Sequence, residues 1–328
     1  MKVARNFSVG LAIMVLSCGI RTYALFASTT FQEAYQKGAF AKIEFQVVDD
    51  EARPVRDAKV NVFFDMANRS KGRREVVTTG TNGVCVVEGK TKGVLEIEVS
   101  REGYYRSIDL ISFIDIGHEH EVDNGKWQPW GMVRQITLLP VKNPAARIAS
   151  TPDWKWTKEI NKWIGFDLAK YDFVKPLGSG ENSDMEVMFE WDGAWRQKEY
   201  NGMALNIRFP VKFAGGYYAE KTPGSEYIGI YQANTNGNYK ANFTYSEWVS
   251  SRDKKGYAAS YERHLFDDSK TLVVRSRCTL NEDGTLKTAH YFQLHGIKFS
   301  GDSKKGVALK FLSIYNPTPN DTNLEPAL

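Results

Sequence analysis

The densest group of metal-binding side chains is His118-Glu119-His120-Glu121. In an extended segment, residues two apart project from one face about 7 Å from each other, so His118 and His120 would offer two imidazoles to one ion. Zinc sites usually take three or four protein ligands. The neighbourhood adds no further His or Cys, only Asp115, Asp123 and Asn124, which is the composition of a solvated loop. The pair is therefore expected to hold no metal, and no cofactor is expected. His290 and His295 lie five apart in one predicted strand, and an odd separation puts them on opposite faces. His290 shares parity with Phe292 and Leu294 and reads as a core histidine held by a hydrogen bond; His264, within Tyr261-Glu262-Arg263-His264, reads as a surface residue. There is no Gly-x-Ser-x-Gly elbow. Gly301 and Gly306 have P-loop spacing, but Val307-Ala308 stand where lysine and Ser/Thr are required. Glycosidase carboxylates come from distant strands and leave no local signature, so a hydrolase with acids in the C-terminal half stays open as an alternative, with no catalytic residue assigned.

Aromatic residues offer a different chemistry. All 8 tryptophans lie beyond residue 126, and tyrosines crowd the same part of the chain. Flat rings beside polar groups stack on sugar rings, and Trp191-Asp192-Gly193-Ala194-Trp195-Arg196 has that composition. Trp191 has inward parity with Val187 and Phe189, the position of a core aromatic. Trp195 and Trp248 are the rings expected to be exposed. The ligand-binding set is thus Trp195, Trp248, Trp191 and Arg196, and the expected ligand is a glycan.

The elements that position these residues follow an N-terminal address. Lys2 and Arg5 precede an apolar run from Val9 to Ile20, shorter than the roughly 20 residues of a membrane span, and small residues follow. This is the order of a secretory signal peptide over residues 1–27, with cleavage expected after Ala24 or Ala27. Val15-Leu16-Ser17-Cys18 resembles a bacterial lipobox, so lipidation of Cys18 is the alternative. Either route predicts an exported protein of the periplasm, cell surface or medium, touching a membrane only through such an anchor. Lys2, Arg5 and Arg21 are the only charged residues of the segment, so without it the net charge falls from +4 to +1. A nearly neutral chain gives no electrostatic reason to expect nucleic acid.

Past the signal, Thr30-Phe31-Gln32-Glu33 has capping-box spacing and Gly38 closes a short helix, giving a helical lead-in over 28–39. The period then changes from 3.6 to 2. Ile43, Phe45 and Val47, then Val60, Val62 and Phe64, then Leu95, Ile97 and Val99 alternate with mostly polar neighbours, as half-buried strands do. Turn residues punctuate them, which predicts an antiparallel sandwich over 40–140. Residues 141–172 read as a linker with one short helix, because Thr151-Pro152 can start a helix and Trp156, Ile160, Trp163 and Ile164 recur at helical spacing. The block 173–328 returns to period 2. Its clearest element is a hairpin of strands 271–280 and 285–295 turning at Asn281-Glu282-Asp283-Gly284, and Leu272, Val274, Cys278 and Leu280 share one parity. The expected fold class is all-β, with two sandwich-like domains. Cys85 and Cys278 fall in different domains and are expected as free thiols.

Val47-Val48-Asp49, Arg53-Pro54-Val55-Arg56-Asp57-Ala58-Lys59-Val60, Thr79-Gly80-Thr81-Asn82-Gly83-Val84 and Ser100-Arg101-Glu102-Gly103-Tyr104-Tyr105 together resemble the carboxypeptidase regulatory-like domain, similar in fold to transthyretin. The resemblance covers about 40–110 and implies a non-catalytic spacer on a secreted or surface protein. The family usually has glycine where Ala52 and Asp57 stand here, and aspartate in place of Gly80. Residues 141–328, with Lys142-Asn143-Pro144, Gly165-Phe166-Asp167-Leu168 and Asn316-Pro317-Thr318-Pro319, look like secreted bacterial envelope proteins of unassigned activity. These readings point to an envelope protein that binds or scaffolds, with a glycan or another envelope protein as partner. A hydrolase and a purely structural subunit are the alternatives, and the oligomeric state is not legible.

Overall fold

A computed structural model describes residues 31–65, 72–114, 122–144, 148–150, 152–191, 198, 200–227 and 229–326. Residues 1–27, read as a signal peptide from the sequence, with Cys18 among them, and His118, His120, Trp195 and Arg196 lie outside the described residues. Among the described residues the chain is all-β apart from a short helix over 31–37, closed by Gly38 at φ 81° and carrying a Lys37–Glu33 pair of 2.7 Å. It divides into two compact units, residues 1–141 with 222–227, and residues 142–221 with 228–328.

The first unit contains β1 (Ala39–Val48), β2 (Lys59–Phe64), β3 (Arg73–Thr78), β4 (Val84–Thr91), β5 (Val94–Ser100), β6 (Ser107–Ser112), β7 (Val122–Asp123), β8 (Lys126–Trp127) and β9 (Met132–Thr137). One sheet runs β4-β1-β8-β7, with β9 also pairing in parallel with β1; the other runs β3-β2-β5-β6. The alternating residues Ile43, Phe45, Val47, Val60, Val62, Phe64, Leu95, Ile97 and Val99 all face the core between the sheets. Trp127 is buried with them and donates its Nε1–H to the Thr91 carbonyl at 3.0 Å. At the β1–β2 turn the buried Asp49 carboxylate accepts the Glu51 and Arg53 N–H groups, both at 2.9 Å, and Arg53 Nε at 2.8 Å. Ala52 and Asp57 both adopt left-handed backbone, at φ 61° and 56°, the conformation glycine takes without strain.

Residues 222–227 complete this unit beside β6. Ile108 N–H donates to the Gly224 carbonyl at 2.7 Å, Arg106 grips Glu226 at 2.7 and 3.3 Å, and the Tyr105 and Tyr227 rings stack with centroids 4.8 Å apart.

The second unit contains β10 (Ile148–Ala149), β11 (Lys155–Thr157), β12 (Ile164–Asp167), β13 (Asp172–Phe173), β14 (Met185–Trp191), β15 (Gly202–Arg208), β16 (Gly215–Glu220), β17 (Asn242–Arg252), β18 (Ala258–His264), β19 (Lys270–Leu280), β20 (Leu286–Asp302) and β21 (Gly306–Tyr315). Sheet I runs β10-β21-β20-β19-β16, with β11 also on β21; sheet II runs β13-β12-β14-β15-β17-β18. Val187, Phe189, Leu205, Ile207 and Tyr245 from sheet II meet Leu272, Val274, Phe292, Leu309 and Phe311 from sheet I in one core. A smaller cluster of Ala233, Val273, Ala289, Tyr291 and Leu324 covers the other face of sheet I.

The segment expected as a linker with a helix is built differently. Residues 155–157 pair with β21 at Lys155↔Leu309, Trp156↔Ala308 and Thr157↔Val307, and residues 164–167 join sheet II. The helical spacing of Trp156, Ile160, Trp163 and Ile164 is overridden by pairing: Ile164, Phe166 and Leu168 alternate into the core, and Asn161 is left-handed at φ 56°. The expected hairpin is present, with Gly284 at φ 78° and Asp283 capping Thr285. The single apolar face predicted for β19 is not: Arg277 at φ 52° forms a bulge between Ser276 and Thr279. The bulge shifts the parity beyond it, leaving Leu280 exposed and Cys278 half-buried.

Candidate functional site

A buried, charged cluster sits at that bulge. Arg277 Nε donates to Asp184 Oδ1 at 2.8 Å, and its Nη2 reaches Asp184 Oδ2 at 2.9 Å and Asp167 Oδ1 at 3.0 Å. Asp167 is fully buried and also accepts the N–H groups of Ala169, Lys170, Glu181 and Asn182 at 3.0–3.1 Å. Burial would raise this carboxyl, but those N–H groups and the Arg277 charge outweigh it and hold it below the ordinary aspartate range. Each carboxylate oxygen has partners, so the cluster ties β19 of sheet I to β12 and to Asp184, the residue just before β14 of sheet II. Tyr315 Oη contacts Arg277 at 3.3 Å and His290 Nδ1 at 3.1 Å. His290, half-buried, has its pKa lowered by burial against a raising contact from the Asn316 carbonyl. It is held by hydrogen bonds, as its parity implies.

His295 lies on the opposite face of β20, 4% exposed. Its Nε2 is 3.5 Å from Thr271 Oγ1, and its Nδ1 has no hydrogen-bond partner among the described residues. Burial first, and the Lys221 charge second, push its pKa down to about 3, so the ring is neutral.

A cavity of ≈ 530 Å³ opens in the second unit. Its buried lining comes from Trp191, Met203, Phe266 and Ile297, members of the core itself; Trp154, Tyr200 and Phe299 are half-buried, and Leu265, Asp268 and Lys298 are exposed. Glu247 also lines it but is tied to Arg263 Nε at 2.6 Å.

Trp248 occupies a different surface. On β17, Phe243 and Tyr245 face the core, whereas Thr244 and Trp248 alternate outward. Direct pairing places Trp248 beside Gly202 and Glu262, and Ser246 beside Ala204 and His264. On the same face Thr244 Oγ1 donates to Asn206 Oδ1 and Asn206 Nδ2 donates to Glu190 Oε1, both at 2.7 Å. Gly202, at φ 129°, lets the ring lie against the sheet: a Cβ there would run into the Trp248 ring and the Glu247 carbonyl. Trp248 is 37% exposed, and Trp191 is 6% exposed. The two are therefore not brought together: Trp191 lines the cavity, and Trp248 crowns the outer face of sheet II. Sequence reasoning missed Trp154, Tyr200 and the Arg277–Asp184–Asp167 cluster. Asp167 alone carried a signal, as a charge set among the apolar residues of Gly165-Phe166-Asp167-Leu168.

Among the described residues no group of His, Cys, Asp and Glu is placed to hold a metal, and no helix is long and apolar enough to cross a membrane. No family model matches the chain. No curated protein matches it. Among solved structures it is similar to the 3-chlorocatechol 1,2-dioxygenase of Rhodococcus opacus 1CP, at 13% identity over 32% of this chain and 61% of that one, with a TM-score of 0.26. The catechol 1,2-dioxygenase of Acinetobacter radioresistens gives 13%, 33%, 54% and 0.25 in the same order. The chain thus spans less than two thirds of these dioxygenases. The shaft pilin SpaA of Lactobacillus rhamnosus GG aligns at 10% identity over 77% of this chain and 92% of that one, with a TM-score of 0.22.

Proposed function

We propose that this chain is a binding module of the bacterial cell envelope, with the outer face of sheet II as a glycan-binding surface and the first unit as a spacer. The observation that carries the reading is Trp248: an exposed ring lying against Gly202, with Ser246, His264 and Glu262 beside it and the Glu190–Asn206–Thr244 row on the same face. Sugars present apolar C–H faces and hydroxyl edges. A ring supplies the first contact, and fixed amide, hydroxyl and carboxylate groups supply the second. The segment 1–27 supports an exported location, and the regulatory-like resemblance of about 40–110 supports a spacer. Asp167 and Asp184 are held by structural hydrogen bonds and Glu247 is tied to Arg263, so these three acids serve the scaffold in this reading.

The test is a panel of soluble polysaccharides titrated against the full mature chain by intrinsic tryptophan fluorescence. Trp248→Ala removes the stacking face and is expected to weaken a responding glycan about tenfold, from an aromatic contact worth about 1.4 kcal/mol. Gly202→Ala drives a Cβ into the Glu247 carbonyl and into the Trp248 backbone and ring, so it shifts the β15–β17 ladder together with the ring and is expected to weaken the glycan with Trp248 retained. Binding that persists in both variants would refute the assignment.

A further inference from the structure

Strand β20 outruns the strand beside it. Its register on β19 includes Leu272↔Leu294 and β19 starts at Lys270, so from Ile297 to Asp302 β20 has β21 on one side and no strand on the other among the described residues. The direction of its backbone groups follows from β21. Ser313 exchanges hydrogen bonds with Ser150 on the side away from β20, its N–H donating to Ser150 Oγ at 2.8 Å and its carbonyl accepting the Ser150 N–H at 2.9 Å. Phe311 N–H donates to Tyr171 Oη at 2.9 Å. Backbone groups alternate between the two edges of a strand, so Ala308 and Lys310 turn toward β20 and face their direct partners Ser300 and Lys298. Phe299 and Gly301 therefore carry their N–H and C=O groups outward, on the side that β19 leaves uncovered.

The cavity of ≈ 530 Å³ lies along this edge. All residues from Ile297 to Gly301 line it, although Ile297 and Phe299 face the core and Lys298 and Ser300 the opposite side of the sheet. What residues of both parities share is the edge of the strand. On its core side the cavity is walled by Trp191, Met203 and Phe266. Edge strands commonly deter pairing with charges and bulges, and Lys298 and the bulge at Gly296, φ 60°, are of that kind. An edge that opens onto an apolar hollow is not.

We propose that this edge takes up one extended peptide as an added antiparallel strand of sheet I, with apolar side chains at alternate positions and carboxylates between them. Phe299 and Gly301 supply the main-chain hydrogen bonds. Residues of the added strand opposite those two face the core side and enter the hollow beside Trp191, Met203 and Phe266. The intervening residues face the other way and come beside Lys298, whose cross-strand neighbour is Lys310; neither ammonium has an ion-pair partner among the described residues. Asp302, the carboxylate on that face of the overhang, is turned to the Lys304 and Lys305 N–H groups at 2.9 Å. The charge left over is positive, and it is complementary to acidic residues at the intervening positions. This edge belongs to sheet I and Trp248 to sheet II, so either reading can fail alone.

The probe is an amidated, fluorescein-labelled peptide of alternating valine and glutamate, titrated against the full mature chain by fluorescence anisotropy. Saturable binding at one site per chain is expected. N-Methylation of the valines, whose N–H groups pair with the Phe299 and Gly301 carbonyls in this register, is expected to weaken it about tenfold with the protein unchanged. Gly301→Pro removes an N–H that β21 does not use and is expected to act in the same direction, with near-UV circular dichroism matching the wild type. A valine–lysine peptide is expected to bind about fivefold more weakly than the valine–glutamate one, and Lys298→Glu to reverse that order. Absence of saturable binding, or an affinity unmoved by valine N-methylation, would overturn the proposal. So would self-association of the unliganded chain in sedimentation that Gly301→Pro abolishes, which would assign the edge to a second copy.

Discussion

Protonation of His295 is expected to set the acid limb of this protein's stability. The imidazole is 4% exposed on the face of β20 that carries Gln293, and its pKa is pushed down to about 3 by burial and by Lys221. It is neutral in the folded chain, whereas the unfolded chain takes up a proton near the ordinary histidine pKa of about 6.5. A depressed folded pKa means that the unfolded state binds more protons between those two values. Stability is therefore complete above pH 7 and is lost as pH falls through about 6.5 toward 3. The loss from the unfolded chain is RT ln(1 + 10^(6.5 − pH)), close to zero at pH 8 and about 2 kcal/mol at pH 5. The folded ring contributes less than about 0.1 kcal/mol at pH 5 for any folded value below about 4, so the result depends little on how far below 4 that value lies. The assay is urea unfolding of the wild type and His295→Gln at pH 8 and pH 5, followed by tryptophan fluorescence. Wild type should lose about 2 kcal/mol more than the variant between the two pH values. His290, whose pKa is also lowered, titrates in both proteins and cancels in the difference. Parallel losses in the two proteins would refute the reasoning, whatever the variant costs at pH 8.

Two further perturbations test the scaffold. Arg277→Met leaves Asp167 and Asp184 buried without their cation, and is expected to destabilise the second unit by about 3–5 kcal/mol in urea melts; Arg277→Lys should recover only part, because an ammonium lacks the planar fork that reaches both carboxylates. Ala52→Gly relieves a left-handed alanine at φ 61° and should stabilise the first unit by about 1 kcal/mol, with Asp57→Gly giving less because aspartate tolerates that conformation better. Slower hydrogen exchange along β1 and β4 would register the gain, and faster exchange would show the turn to be held by something other than its backbone angle.

Local periodicity made much of the fold legible. Ile43, Phe45 and Val47 face the first core, Val187, Phe189, Leu205 and Ile207 face the second, and Gly284 turns the hairpin, because alternation and positive φ are written in neighbouring residues. The glycines that the regulatory-like family would place at 52 and 57 fall where the backbone is in fact left-handed. Longer-range features were hidden. Residues 155–157 and 164–167 are strands because β21 and β14 offer them ladders, a fact absent from their own spacing. The Arg277 bulge answers to carboxylates 93 and 110 residues away, and no period of β19 announces it. The cavity draws on β14, β15, β17 and β20 with the loops beside them, a convergence that no one strand's spacing announces.

The placement of residues 222–227 bears on how the chain is made. Arg106 and Glu226 are 120 residues apart, and the segment that finishes the edge beside β6 is flanked on both sides by residues of the second unit. During synthesis from the N-terminus, β1 to β9 emerge with that edge unfinished, its N–H and C=O groups open to pairing with another chain. They stay so until the strands up to β16 have followed. The two units are therefore not independent beads made one after the other. A break after residue 141 would give an N-terminal piece without its last edge segment and a C-terminal piece carrying that segment without its partners.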